Sequence, residues 1–189
     1  INIATQSLVI DFSSPDYLSE ILNTCVHQKL PLVIGTTGLN SNHHELISKA
    51  KKTIPILIGS NMSIGIATLK KSITNFLMSS QESFSCNLIE IHHTQKVDAP
   101  SGTAIEIMKF LEDLPGDKIQ MPISVNSHRI GRAFGTHRVE FYNSRETISF
   151  QHIAHSRDIF ASGAIAAAQW IISNPPGLYS FDDYLNKKL

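Results

Sequence analysis

Three short apolar runs, SLVIDF at 7–12, LPLVIG at 30–35 and IPILIG at 54–59, open the chain at nearly equal intervals. Runs that are apolar at almost every position suit strands buried on both faces, because a strand with one wet face would alternate. Helical patterns fill the intervals. In SSPDYLSEILNTCVHQK, Ser14 is a candidate N-cap and Pro15 fits the first helical position, while Leu18, Ile21, Leu22, Cys25 and Val26 form a stripe at helical spacing. NSNHHELISKAKK repeats the arrangement with Leu46, Ile47 and Ala50 inward, and its His43 and His44 read as exposed helix residues. Strand, helix, strand, helix, strand with short connections requires a parallel sheet, since parallel neighbours need a crossover.

Ligands of open parallel sheets sit beyond the carboxyl ends of the strands. Those ends read DFSS, GTTG and GSNMS, all small, polar or glycine-containing, so backbone amides and short hydroxyls can approach a ligand closely. Each segment alone is explained as a turn or a helix cap; three at one rim point to a ligand. No global field draws that ligand in: sixteen basic and sixteen acidic residues cancel, so nothing favours nucleic acid or an anionic membrane surface, and an anion must be caught by a local cluster. With 42% hydrophobic and 17% charged residues the composition is that of a soluble globular protein. No apolar run approaches the ~20 residues needed to span a bilayer, and the first residues lack the pattern of a signal peptide, so the chain reads as cytoplasmic. Cys25 and Cys86 stand in apolar surroundings without a partner motif and read as buried free thiols.

Further along, SIGIATLKKSITNFLMSS carries Ile66, Leu69, Ile73, Phe76 and Leu77 as a helix stripe, and CNLIEI follows as a strand. TAIEIMKFLEDL places Ile107, Met108, Leu111 and Leu114 on one side of another helix. PGDK and NSHRIGRAFG read as loops. RVEFY and ETISFQHI alternate around NSRE and predict an antiparallel hairpin, with Val139 and Phe141 on one face and Ile148 and Phe150 on another. DIFASGAIAAAQWIIS is a final helix, ended by Asn174, Pro175, Pro176 and Gly177.

The chemistry concentrates in EIHHTQKVDAPSGTA at 90–104. Period-two geometry puts Glu90 and His92 on one face of the strand and Ile91 and His93 on the other. Pro100 disfavours helix at Ala99, so Ser101, Gly102 and Thr103 should supply the unpaired amides of a first helical turn. Such a turn binds anions, because free donors and a partial positive charge coincide there. A histidine, titrating near 6.5, can deliver a proton at neutral pH, whereas a lysine, near 10.4, serves first as a fixed cation. The segment is therefore either a pocket that holds a carboxylate and protonates beside it, or an ordinary strand-to-helix joint with Asp98 capping the histidines and Ser101 acting only as an N-cap. A zinc site on His92 and His93 is disfavoured, since adjacent side chains diverge and no further ligand stands at the right spacing.

HHTQKVDAPSGTA, together with VIGTTG, GSNMSIG and FASGAIAAAQW, resembles dihydrodipicolinate reductase, the 4-hydroxy-tetrahydrodipicolinate reductase of lysine and diaminopimelate biosynthesis, and the similarity runs over nearly all of the chain. The resemblance implies hydride transfer from NADH or NADPH to a cyclic unsaturated imine dicarboxylate. It implies His92 and Lys96 as the catalytic proton donors, and His93, Gly102, Thr103 and Arg157 as contacts to substrate carboxylate. Gly35, Thr36 and Thr37, with Gly59, Ser60, Asn61 and Met62, would line the nicotinamide side of the cofactor. The implied fold is α/β: a Rossmann-like parallel-sheet nucleotide domain at 1–63 and 158–189, and an α+β substrate and oligomerisation domain at 64–157 with a mixed or antiparallel sheet. Hinges are expected near Ser63 and Arg157, and the second sheet is expected to assemble a homotetramer.

One departure bears on the cofactor. The family pattern starts with a strand and a glycine-rich loop that cradles the pyrophosphate, and the sequence, which begins at Ile1, contains neither. GRAFG at 131–135 lacks the strand before and helix after that such a loop needs. The nucleotide domain is thus expected to be incomplete in this chain. A catalytically incompetent fragment that keeps the substrate-domain oligomer, and a lyase using Lys96 as a Schiff-base nucleophile, are the competing readings; the lyase would leave the GTTG and GSN rims unexplained.

Overall fold

The computed structural model describes residues 7–187. The chain divides into two compact units, one formed by 1–62 with 160–189 and the other by 63–159. Among the described residues, no helix is long and apolar enough to cross a membrane.

The first unit is built on the three apolar runs. They form β1 (Val9–Asp11), β2 (Leu32–Ile34) and β3 (Pro55–Ile58), alternating with α1 (Leu18–Gln28) and α2 (Ser41–Ala50). A short 3-10 turn, Pro15–Tyr17, leads into α1, and the Ser14 hydroxyl caps that turn by accepting the Asp16 amide. Asn40 caps α2, and the His43 ring returns the favour by accepting the Asn40 amide, a reciprocal capping box. The three strands run parallel in the order 1, 2, 3. Their two faces serve two cores. Leu32, Ile34 and Ile56 pack with Leu18, Leu22, Cys25 and Ile47 of α1 and α2. Val33 and Leu57 pack with Met62 and with Ala164, Ala167, Ala168 and Ile171 of α5 (Asp158–Ile171). Such double burial is why these strands lack polar alternation.

The sequence reading ended the chain's order at α5, yet two more elements follow. β8 (Gly177–Ser180) pairs in parallel with β3, completing a four-stranded sheet in the order β1-β2-β3-β8, and α6 (Phe181–Asn186) places Phe181 and Tyr184 in the second core. The Asn-Pro-Pro-Gly stop hid both: it ends a helix, and four residues of strand are too few to show a period.

The second unit carries a mixed sheet ordered β5-β4-β6-β7. α3 (Ile64–Ser79) enters through the Ser63 cap, and β4 (Phe84–His92) alternates strictly between buried and half-buried positions. α4 (Gly102–Glu112) then crosses over to β5 (Ile119–Arg129), which lies parallel to β4. β6 (Gly135–Tyr142) pairs antiparallel with β4 and forms a hairpin with β7 (Thr147–Ala154). Ile66, Ile73, Leu77, Ala104, Ile107 and Leu111 of the two helices cover one face of the sheet.

Two expectations fail here. β5 is a strand of eleven residues, and its last four, NSHR, were expected in a loop. It is an edge strand, mostly exposed, and carries Pro122, which a strand tolerates only at an edge or a bulge; the β4–β5 register does shift between Ser85 and Asn87, opposite the segment that holds that proline. Ile148 and Phe150 also do not face away from Val139 and Phe141: Val139 pairs with Phe150 and Phe141 with Ile148, and all four join one core. Cys25 and Cys86 are free and buried, and burial pushes their thiols up to about 11 and about 12, which leaves both inert.

Candidate functional site

β4 lies between β5 and β6, so Leu88 and Glu90 on its helix-covered face each have a lateral neighbour on both sides. Glu90 stands opposite Ser127 of β5 and His137 of β6, and His137 stands opposite His152 of β7. The result is a polar row crossing all four strands. One step further along β4, His92 stands in register with Arg129. Glu90, His92 and His137 are all buried, at 0%, 6% and 4% exposure, amid an otherwise apolar face.

Buried ionisable groups persist only when paired, and these are. The Glu90 carboxylate takes the Nδ1 side of His92 on one oxygen and a guanidinium nitrogen of Arg129, at 2.9 Å, on the other. Burial alone would push the Glu90 carboxyl up, but hydrogen bonds from Arg129 and Ser127 and the charges of His92 and Arg129 bring it below the usual carboxylate range. Burial pushes the His92 imidazole below its ordinary value; Glu90 pulls it up, and the Lys96 and Arg129 charges push it down again. At neutral pH His92 is therefore mostly neutral, and its protonated form is a stronger acid than free histidine. The His137 ring lies edge-on to it with centroids 5.2 Å apart, and burial, reinforced by His92, pushes His137 down to about 4.

The loop after β4 folds back at once. The Lys96 amide donates to the His93 carbonyl at 3.1 Å, and Nζ of Lys96 reaches Asp98 Oδ1 at 2.8 Å. Asp98 thus pairs with the lysine and does not cap the histidines. Ser101 is the true N-cap of α4: its hydroxyl accepts the Ala104 amide, its carbonyl accepts the Ile105 amide, and Oγ also lies 3.2 Å from Nε2 of His137. Gly102, exposed at the first helical position, has nothing within 4 Å of where a Cβ would sit. The N-terminal turn of α4 is thereby tied to the sheet while its mouth stays open, the arrangement that receives a carboxylate. Gly135, by contrast, lies close against His92, since a Cβ there would come within 3.1 Å of Nε2.

Of the residues singled out from sequence, His92 and Lys96 share this unit's charged cluster, Gly102 and Thr103 form the helix mouth, and His93 is half-buried in the turn between them. Arg157 is exposed in the segment between β7 and α5. The guanidinium in the cluster belongs to Arg129, which sequence reasoning passed over because it assigned NSHR to a loop. Glu90, His92 and His137 offer ligand atoms within 4.8 Å of one another. Glu90, however, is already shared between His92 and Arg129, and a guanidinium beside a cation is repulsive, so Glu90 is committed to an ion-paired network rather than to a metal centre.

In the first unit the glycines that follow β2 and β3 continue the strands: Gly35 donates to the Asp11 carbonyl at 2.8 Å and Gly59 to the Ile34 carbonyl at 3.0 Å. A Cβ on Gly35 would overlap the Phe12 ring at 2.1 Å, so a larger residue there would have to turn that exposed ring away from the strand end. Thr37 and Ser60 are exposed beside them. Thr36 is not available as a donor from its side chain, because its hydroxyl donates to Asp11 Oδ2 at 2.9 Å, and the Met62 side chain is in the core. Hydroxyls, amides and a flat ring on one strand rim fit the carboxamide and ribose of a nicotinamide nucleotide; Thr37, Ser60 and Asn61 would hold it, with Thr36 and Met62 contributing backbone only.

Two family models match the chain: dihydrodipicolinate reductase, N-terminus, over residues 2–62, and dihydrodipicolinate reductase, C-terminus, over residues 65–185. A 4-hydroxy-tetrahydrodipicolinate reductase of Bdellovibrio bacteriovorus is 39% identical over 176 residues, covering 93% of this chain and 75% of that protein. One from Campylobacter lari is 39% identical over 194 residues, covering 94% and 80%. Among solved structures, dipicolinate-bound dihydrodipicolinate reductase from Paenisporosarcina sp. TG-14 superposes with a TM-score of 0.70 at 20% identity, over 90% of this chain and 70% of that one.

Proposed function

Because this chain belongs to the dihydrodipicolinate reductase family, we propose that it reduces 4-hydroxy-tetrahydrodipicolinate to tetrahydrodipicolinate in lysine and diaminopimelate biosynthesis, with NADH or NADPH as reductant. The observation that carries the reading is the joining of a paired imidazole, a loop ammonium and an open helix N-terminus within one compact unit.

The nucleotide supplies a hydride; the residues of this chain supply everything that positions the acceptor and handles the proton. A substrate carboxylate docks at the mouth of α4, on the Gly102 and Thr103 side, where helix dipole and amides favour an anion. His93 adds a ring hydrogen-bonding group and Arg157 a fixed positive charge to the surroundings of the dicarboxylate. Lys96, released from Asp98, faces the charge that develops on the ring as the hydride adds. The 4-hydroxyl leaves as water to give the unsaturated imine that accepts the hydride, and His92 delivers the proton that completes the reduction, with Glu90 stabilising the imidazolium before transfer and holding the neutral ring afterwards. The unit formed by 1–62 and 160–189 takes the nucleotide role and the unit formed by 63–159 the substrate role. The uncovered face of the second sheet, where Ile153 and Tyr142 are 47% and 41% exposed, supports assembly into a homotetramer.

The test is turnover followed by nicotinamide absorbance, with freshly generated substrate and each nucleotide in turn. His92→Gln and Lys96→Ala should each lower kcat by about 10²–10⁴ while KM moves only a few-fold. Small, equal changes in both parameters would sink the assignment.

A further inference from the structure

Among the described residues of the cluster, Arg129 touches the supports of both proposed proton-handling groups. One guanidinium nitrogen lies 2.9 Å from Glu90 Oε1, and the other oxygen of that carboxylate holds His92. The same nitrogen also donates to the Asp98 carbonyl, and Nε donates to the Lys96 carbonyl at 3.2 Å. The remaining terminal nitrogen donates to the His128 carbonyl at 2.8 Å, which anchors the group to its own strand. A single planar fork thus bridges the carboxylate behind the imidazole and the backbone of the loop that carries the ammonium.

We propose that Arg129 is a positioning residue that locks His92 and Lys96 into one geometry, by holding Glu90 and the Lys96–Asp98 backbone at once. The inference rests on the functional reading of His92 and Lys96 given above.

The physical reasons are specific to arginine. Its five donors are fixed in a plane, so satisfying Glu90 and two loop carbonyls at once sets their mutual distances; a lysine has one rotatable point of attachment and cannot span them. Glu90 is wholly buried, and its ionised form depends on the guanidinium that pairs with it. An ionised Glu90 in turn requires Nδ1–H on His92, which fixes the tautomer and leaves Nε2, the nitrogen beside Gly135, for chemistry. The groups facing His92 are Glu90 from its own strand, Arg129 from β5, His137 from β6 with His152 behind it on β7, and Lys96 with Asp98 from the loop; α4 presents the uncharged Ser101.

The experiment compares the full chain with Arg129→Gln, Arg129→Lys, Glu90→Gln, the Arg129→Gln/Glu90→Gln double variant and His92→Gln. It measures kcat and KM for both substrates from about pH 5 to 9, the thermal midpoint, and the His92 tautomer from imidazole nitrogen shifts. Misplacing a reacting group by about 1 Å costs on the order of 10²-fold, so Arg129→Gln and Glu90→Gln should each lower kcat by about that factor with KM changed less than about 3-fold. The double variant should be little worse than the poorer single, because both act through one chain of contacts. Both single variants should lose the Nδ1–H preference, and Glu90→Gln should move the His92 limb of the pH profile to lower pH. Arg129→Lys, which keeps the charge, should still lose at least about 10-fold in kcat at a nearly unchanged thermal midpoint; should Arg129→Gln not fold, this variant decides. A wild-type kcat in Arg129→Lys, an additive double variant or an unaltered tautomer overturns the inference. If His92→Gln keeps full turnover the functional reading fails; if His92→Gln collapses while the Arg129 variants turn over normally, only the positioning role fails.

Discussion

Nε2 of His137 lies 3.2 Å from the hydroxyl of Ser101, and the same hydroxyl accepts the Ala104 amide at the start of α4. One oxygen thus caps the helix and docks it onto β6. Ser101→Ala removes both contacts at once. Loss of a cap costs about 1 kcal/mol and a buried ring nitrogen left without its partner about 1–3 kcal/mol, so the variant should be destabilised by about 2–4 kcal/mol in a urea titration. KM for the dicarboxylate should rise with it, because the helix mouth loses its anchor. An unchanged urea midpoint would show that the hydroxyl is dispensable.

Gly102 separates stability from function. Its Cβ position is empty, so Gly102→Ala should leave the thermal midpoint unchanged or raise stability by about 0.5 kcal/mol. If a carboxylate docks at that spot, the methyl group intrudes on it. KM should then increase about tenfold or more, a loss of about 1.4 kcal/mol of binding. Unaltered KM would move the carboxylate site elsewhere.

The polar row of β4, β6 and β7 makes the fold acid-sensitive. An unfolded histidine takes up its proton near pH 6.5, whereas His137 in the fold does so only at about 4, chiefly because it is buried. Between those values the unfolded chain binds more protons, so stability falls as pH falls from 6.5 to 4, by roughly 3 kcal/mol from this ring. His92 and His152, also lowered by burial, add to the loss in the same direction. Urea midpoints measured across that range should decline steadily, and His137→Gln should flatten the decline even though it is less stable at pH 7. An equal slope in wild type and variant would contradict the assignment.

Gly163 packs α5 against the end of the first parallel unit. A Cβ there would sit 1.7 Å from the Met62 carbonyl oxygen, which is backbone and cannot swing aside, and 3.3 Å from the Phe181 ring. Gly163→Ala should therefore cost about 3 kcal/mol or more, despite alanine's better helix propensity. A differential scan in which this variant melts with the wild type would refute the close packing.

The parts of this fold legible in the sequence are those whose burial is periodic. Continuous runs gave β1 to β3, and the stripes through Leu18, Ile66 and Ile107 gave three helices, because each element hides a whole face. The Glu90–His92 alternation on β4 was equally readable, since period two leaves no choice. β5 was invisible because an exposed edge strand interrupted by Pro122 has no such face, and Arg129 was lost with it. The Ser101–His137 contact and the Arg129 bridge each join residues more than thirty positions apart, and no local pattern announces a pairing of that span.

The order of the elements also sets a schedule for synthesis. The second unit is contiguous, 63–159, whereas the first resumes only at Phe160, when α5 and then β8 arrive to pack on and pair with β3. A growing chain can close the second unit while Val33, Leu57 and Met62 still lack their covering helix. For that interval the nascent protein shows a greasy sheet face to the cell, and chaperones or premature termination would act on that half first.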